Sequence, residues 1–394
     1  MCVKELTVRA RELFVKDRLA IAITSMERVG ERIYLGLTGG ANILAWYDVA
    51  ADRIELGPEL FPWIKGRGYC AKIHNALGAL SDGSLLMGEA NHFTWDGIPV
   101  TLNYLGKELP ESMLFRKRAQ GYPDVKYGEF CLPHLEGWNR ATDAAGGKIV
   151  RYWPDSGRAE DLGMLPGMLY VQSMIVDTAR DRAFGHTLPD NHFFYVDVRK
   201  GAIKDFGHIS DFAHHNMVVT PRGVCYGGWI DKAENSLKLL RFDPEEERLN
   251  YLNKVILKDV GAKVAGNQGI DEWIVTSRGE IYMGVVANSL FFRFHEEEEE
   301  FELIGQVAKG GRVTSIDEDE HGMIWIGADY PHMRLVRFDP RRTDRGKFTD
   351  FGRVNDSYPR CYFHASCCYK GKLYLGETDG FVPSLHIVDL GELG

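Results

Sequence analysis

Apolar and polar positions alternate along most of this chain with the two-residue period of half-buried β-strands, and the alternation is cut at short intervals by Gly, Asp, Asn and Pro. One strand type recurs seven times, a mostly apolar or aromatic triplet that closes on glycine in six of the seven. It stands at Ile33-Tyr34-Leu35-Gly36, Leu85-Leu86-Met87-Gly88, Ala183-Phe184-Gly185-His186, Cys225-Tyr226-Gly227-Gly228, Ile281-Tyr282-Met283-Gly284, Ile324-Trp325-Ile326-Gly327 and Leu373-Tyr374-Leu375-Gly376. A second strand follows each, as in Leu44-Ala45-Trp46-Tyr47-Asp48, Leu239-Leu240-Arg241-Phe242-Asp243 and Leu335-Val336-Arg337-Phe338-Asp339. Several repeats add a polar turn and a strand ending in glycine, such as Lys204-Asp205-Phe206-Gly207 and Thr349-Asp350-Phe351-Gly352.

Self-similarity at this spacing, with strands and no helical periodicity, predicts an all-β, seven-bladed β-propeller. The last repeat ends near Gly394 before a fourth strand can form, so residues from about Leu6 to Phe14 are expected to supply it and close the ring. The fourth motif positions lie 42 to 56 residues apart except between 88 and 186, an interval of 98. The excess places an insertion at about 94–145, within blade 2, as a lid or a packing appendage. A single propeller domain spanning 1–394 is expected. Of the seven motifs only the third carries histidine where the others carry glycine.

Composition narrows the class. A hydrophobic content of 44% with 26% charged residues suits a chain that buries a large core. With 56 acidic against 47 basic side chains the formal charge is −9, which argues against a nucleic-acid partner but leaves room for a local cationic site. No apolar run is long enough to span a membrane, the start Met1-Cys2-Val3-Lys4-Glu5-Leu6 lacks a signal-peptide core, and the seven cysteines form no CxxC. A cytoplasmic protein with reduced thiols is the expectation. The run Glu296 to Glu300 reads as a solvated edge.

Candidate chemistry comes from hairpin symmetry. In an antiparallel pair, residues equidistant from the turn meet. The turn Ser81-Asp82-Gly83 lies midway between His74 and His92, and the turn at 177–181 lies close to midway between Tyr170 and His186. His214 and His215 begin the matching strand of blade 4, Arg312 that of blade 6 and His364 that of blade 7. A lone histidine beside a strand is usually structural, but several at matched positions point to one mouth of the central channel. Imidazoles, a phenol and a guanidinium suit removal of a proton beside a carboxylate. In a uronic acid, neutralising the carboxylate acidifies the C5 proton; a base removes it and an acid protonates the leaving O4, giving β-elimination. Glycosidase-type carboxylate pairs do not stand out at these positions, and there is no G-x-S-x-G, P-loop or H-E-x-x-H.

The segment Lys72-Ile73-His74-Asn75, followed by Asp82-Gly83 and His92, resembles the paired-histidine hairpin of seven-bladed propeller polysaccharide lyases, the ulvan and rhamnose–glucuronate lyases. Tyr170 with a partner sixteen residues on resembles their Tyr and Arg pair. The resemblance implies an acidic oligosaccharide substrate, with Tyr170 and a blade 2 histidine sharing acid and base roles. The chain departs from the pattern by carrying His186 where those lyases have Arg. His74, His92, Tyr170 and His186 are thus the expected catalytic set, and Asn75, His215, Arg312 and His364 the expected substrate-binding set, with no cofactor. A second resemblance, to oligogalacturonate and streptogramin lyases, implies instead that His74, His92, His215 and His364 hold a divalent ion such as Mn²⁺ or Zn²⁺. The other alternative is a non-catalytic interaction scaffold.

Overall fold

The computed structural model describes residues 7–16, 20, 22–38, 43–58, 60, 71–91, 147–165, 170–188, 190–211, 215–258, 269–286, 288–329, 332–355, 361–378 and 383–393. They form the seven-bladed β-propeller. Blade 3 shows the plan: Tyr170–Asp177, Arg182–Leu188, His192–Asp197 and Ala202–His208 pair antiparallel in chain order, from the channel outwards. The expected insertion at 94–145, like His92 and His214, lies outside the described residues. It falls between the second and third strands of blade 2, Leu85–Gly88 and Lys148–Trp153.

The seven glycine-type motifs are the second strands, and their aromatic or apolar members fill the layers between blades. Tyr34, Leu86, Phe184, Tyr226, Tyr282, Trp325 and Tyr374 are all buried. The core is accordingly a ring of inter-blade layers. The glycines are explained by what faces them. A Cβ at Gly36 would stand 2.9 Å from the Ile73 side chain of blade 2, one at Gly88 would stand 2.5 Å from Val171 of blade 3, and one at Gly376 would stand 2.6 Å from Ile23 of blade 1. Gly284 meets Val313 of blade 6 in the same way. Each of these four glycines is the socket for an apolar knob from the next inner strand.

Closure uses the N-terminal segment twice. Arg11–Phe14 adds antiparallel to Ser384–Asp389 as the outer strand of blade 7, as expected, while Thr7–Val8 adds parallel to Phe348–Val354 as a fifth strand of blade 6. The chain steps between them at Ala10, where Asn355 holds both backbone groups: its Oδ1 accepts from the Ala10 amide at 2.9 Å and its Nδ2 donates to the Ala10 carbonyl at 3.1 Å. Among the described residues, no helix is long and apolar enough to cross a membrane.

Candidate functional site

Five inner strands share a defect near their first residues. In blades 1, 3, 5, 6 and 7 the ladder slips by one residue, leaving Thr24, Gln172, Asp271, Thr314 and His364 without a cross-strand partner. A bulge of this kind re-aims a side chain or a peptide group out of the ladder. Here the freed groups turn to other blades. Thr24 Oγ1 donates to the Ile73 carbonyl at 2.7 Å, the Gln172 carbonyl takes a hydrogen bond from His74, and Asp271 grips Arg312.

This end of the channel gathers three imidazoles. The rings of His74, His215 and His364 form a nearly equilateral triangle with centroids 6.0, 6.1 and 5.9 Å apart. They come from blades 2, 4 and 7, no two adjacent, so the triangle spans the axis. His74 Nδ1 lies 2.7 Å from the Gln172 carbonyl. A carbonyl only accepts, which places the proton on Nδ1 and the lone pair on Nε2. Burial holds all three imidazoles well below the ordinary histidine value, helped by positive charge: Arg312 acts on all three, and Lys72 on His74 and His364.

Arg312 donates from Nε and Nη2 to the two oxygens of Asp271, at 2.8 and 2.6 Å. Its guanidinium lies 5.8 Å from the centre of the Tyr362 ring, whose other neighbour is His364 with centroids 5.1 Å apart. Burial nevertheless raises the Asp271 carboxyl against the pull of that guanidinium. Asp271 and Tyr362 were not singled out from the sequence, and Lys72 entered only as the first residue of the blade 2 motif. Asp271 precedes its blade's glycine, Gly284, by one residue more than His364 precedes Gly376, so only the observed registers bring the two to one level.

Hairpin arithmetic requires one correction. The blade 3 ladder starts from Asp177 opposite Arg182, a register that sets His186 against Ser173, while Tyr170, beyond the bulge at Gln172, faces Leu188; the expected Tyr170–His186 pair does not form. Tyr170 is buried, and burial pushes its phenol up to about 12. His186 fills the socket position that glycine holds in other blades, fully buried against the backbone of His215, with Nδ1 at 3.0 Å from Asn191 Oδ1. Asn191 is tied in turn to the Ser210 carbonyl at 3.2 Å, and burial holds His186 down to about 3. It is a neutral packing group at the joint between blades 3 and 4. In blade 2, Lys72 pairs with Ala90 and Leu77 pairs with Met87, while the expected partner of His74, His92, lies outside the described residues.

Asn75 sits beside His74 in a left-handed conformation, φ 41°, which asparagine tolerates. Its amide donates to the Thr24 carbonyl at 3.0 Å and its carbonyl accepts from Met174 at 2.8 Å, lacing blades 1, 2 and 3.

Nitrogens bound to one ion at about 2.1 Å can be no more than about 4.2 Å apart. Among the described residues, the group whose donor atoms all approach within 4.8 Å is Cys361, Glu377 and His386; the nitrogens of His74, His215 and His364 stand farther apart than that, and His92, the fourth member of the expected set, lies outside the described residues. The Cys361 group does not suit an ion either. His386 Nδ1 accepts from Asn355 Nδ2 at 2.9 Å, which leaves the proton on Nε2, shared between Ser384 Oγ and Glu377 Oε2 at 3.0 Å each. That nitrogen is committed to a hydrogen-bonded circuit.

No family model matches the chain, and no curated protein matches it. Its fold is similar to that of virginiamycin B lyase from Staphylococcus aureus, with a TM-score of 0.60 at 10% identity over 97% of this chain and 99% of that one. The catalytically inactive histidine-to-alanine variant of that lyase, solved with quinupristin, aligns at 0.60 and 9% identity over 96% and 99%. YCF48 bound to a D1 peptide aligns at 0.54 and 8% over 96% and 94%. At these identities the likeness is one of fold.

Proposed function

We propose that the protein is a lyase that eliminates across a carbon–oxygen bond of a carboxylate-bearing sugar at this mouth. The observation that carries the reading is His74, a neutral imidazole with its lone pair on Nε2, set among two further imidazoles and a guanidinium. His74 Nε2 removes the proton next to the carboxylate. Arg312 and the positive field around it stabilise the enolate-like charge that develops. Tyr170, kept protonated by burial and carried on the inner strand that orients His74, donates to the departing oxygen. Each proton-transfer group supplies about 10²–10⁴-fold.

Support also comes from the likeness in fold to a lyase that loses activity when a histidine is replaced, and from the blade 2 hairpin that resembles uronate lyases. The test is a screen of uronate-containing oligosaccharides for the ultraviolet absorbance of a C4–C5 unsaturated product. Appearance of the product, and its loss in His74→Asn, is the expected result. A protein that turns over no uronate yet binds a partner equally well with and without His74 is a scaffold instead.

A further inference from the structure

Arg312 and Asp271 meet from the inner strands of neighbouring blades, 6 and 5, in a two-point clamp. Asp271 is 1% exposed and Arg312 18%, so the guanidinium is the member an entering solute meets first. A planar fork that already holds one carboxylate has the shape to hold another. Two carboxylates on one buried cation repel each other, and releasing Asp271 as an anion strands a charge in the protein interior, which is costly. One arrangement avoids both.

We propose that the mouth captures a substrate carboxylate by exchange, the ligand replacing Asp271 on the Arg312 fork while Asp271 takes one proton from solvent. The proton adds to a carboxylate oxygen, no other bond changes, and the net charge of the site is conserved. This deepens the lyase reading and rests on it for the carboxylate. The surroundings favour the exchange. Beside Asp271 on the same strand, Glu272 is raised to about 8 by burial, held by the Asn216 amide and the Trp273 backbone, and adds no full negative charge near neutrality. From blade 4, His215 donates its backbone amide to Ile270 at 2.8 Å, and its ring is neutral. From blades 2 and 7, His74 and His364 are neutral as well, and Lys72 adds a positive field at both rings. Burial already raises Asp271 with the guanidinium in place, and loss of that partner raises it further.

Calorimetric titration of the full chain with D-glucuronate, in two buffers of different ionisation enthalpy and with D-glucose as the neutral control, tests this. About one proton taken up per glucuronate, and a Kd that rises about tenfold per pH unit, are expected. In Asp271→Asn the uptake disappears and glucuronate binds more tightly with little dependence on pH. Binding and turnover of uronates with no proton uptake by the wild type overturn the exchange and leave the lyase reading standing. Should glucuronate bind neither form, both fall. If Asp271→Asn does not fold, the wild-type proton count decides alone.

Discussion

At the level of single residues, the structure separates histidines that reach the axis from one that packs a joint, and the two kinds respond differently to substitution. In His74→Asn the shorter amide retains a donor toward the Gln172 carbonyl but has no lone pair able to take a carbon-bound proton. Turnover of the uronate identified by the screen should fall about 10²–10⁴-fold while the thermal midpoint stays within a few degrees, and added imidazole should restore part of the rate. A variant that keeps its rate removes His74 from the chemistry. The same buried groups set the response to pH. His186, held near 3, and His74, His215 and His364, all lowered, stay neutral in the fold, whereas in the unfolded chain they protonate as pH drops through about 6.5. Their contribution to stability is therefore lost on acidification. Burial acts with the opposite sign on Glu27, Glu89 and Asp317, raised to about 7, and on Glu272, raised to about 8. These carboxyls stabilise the fold fully below their ordinary values and lose that contribution as pH rises through 7 to 8. Between about 4.5 and 6.5 the two sets oppose each other. Calorimetric melts should show a plateau there and a falling midpoint on both sides; a midpoint that climbs steadily from pH 5 to pH 8 refutes this balance.

Among elements, the decisive contact is the glycine socket and the knob it receives. Gly88→Ala drives a methyl into Val171 and should cost about 1–3 kcal/mol, with Val171→Ala in the same chain returning part of it. Urea unfolding of the two single variants and the double variant measures the coupling, and strict additivity means that the joint relaxes freely. The socket explains why blade number and strand order were legible in the sequence: a glycine that another blade requires recurs at Gly36, Gly88, Gly284 and Gly376. Asp271, by contrast, lay hidden because nothing in the Gly269-Ile270-Asp271-Glu272 run announces a bulge. One skipped residue in each of five inner strands brought Thr24, Gln172, Asp271, Thr314 and His364 to one level, while the turn register of blade 3 kept Tyr170 off His186. The histidine triangle was legible only as a set of strand starts. That three of those starts would reach across the axis depends on ring closure, which pattern alone does not measure.

For the whole molecule, everything at the mouth depends on blades 6, 7 and 1 staying joined, because Arg312 and His364 must face His74 across the place where the chain's two ends meet. The joint is held by a buried polar circuit. Asn355 binds both backbone groups of Ala10, its amide also donates to His386 Nδ1, and His386 donates its single ring proton, on Nε2, to Ser384 and Glu377. His386, Ser384 and Glu377 are fully buried. Asn355→Ala therefore strands the Ala10 amide and carbonyl and the His386 nitrogen at once. With each orphaned group costing about 1–3 kcal/mol, the loss should reach several kcal/mol unless the N-terminal strand peels away and water repairs it. Peeling exposes the edge of Ser384–Asp389 and the raw flank of Phe348–Val354, so the variant should exchange the amides of 384–389 faster and tend to associate through that edge. Hydrogen exchange on this strand, read beside glucuronate binding, connects closure to the site. If Asn355→Ala frees the strand yet binds glucuronate as the wild type does, the mouth is set by the inner strands alone and closure serves only stability.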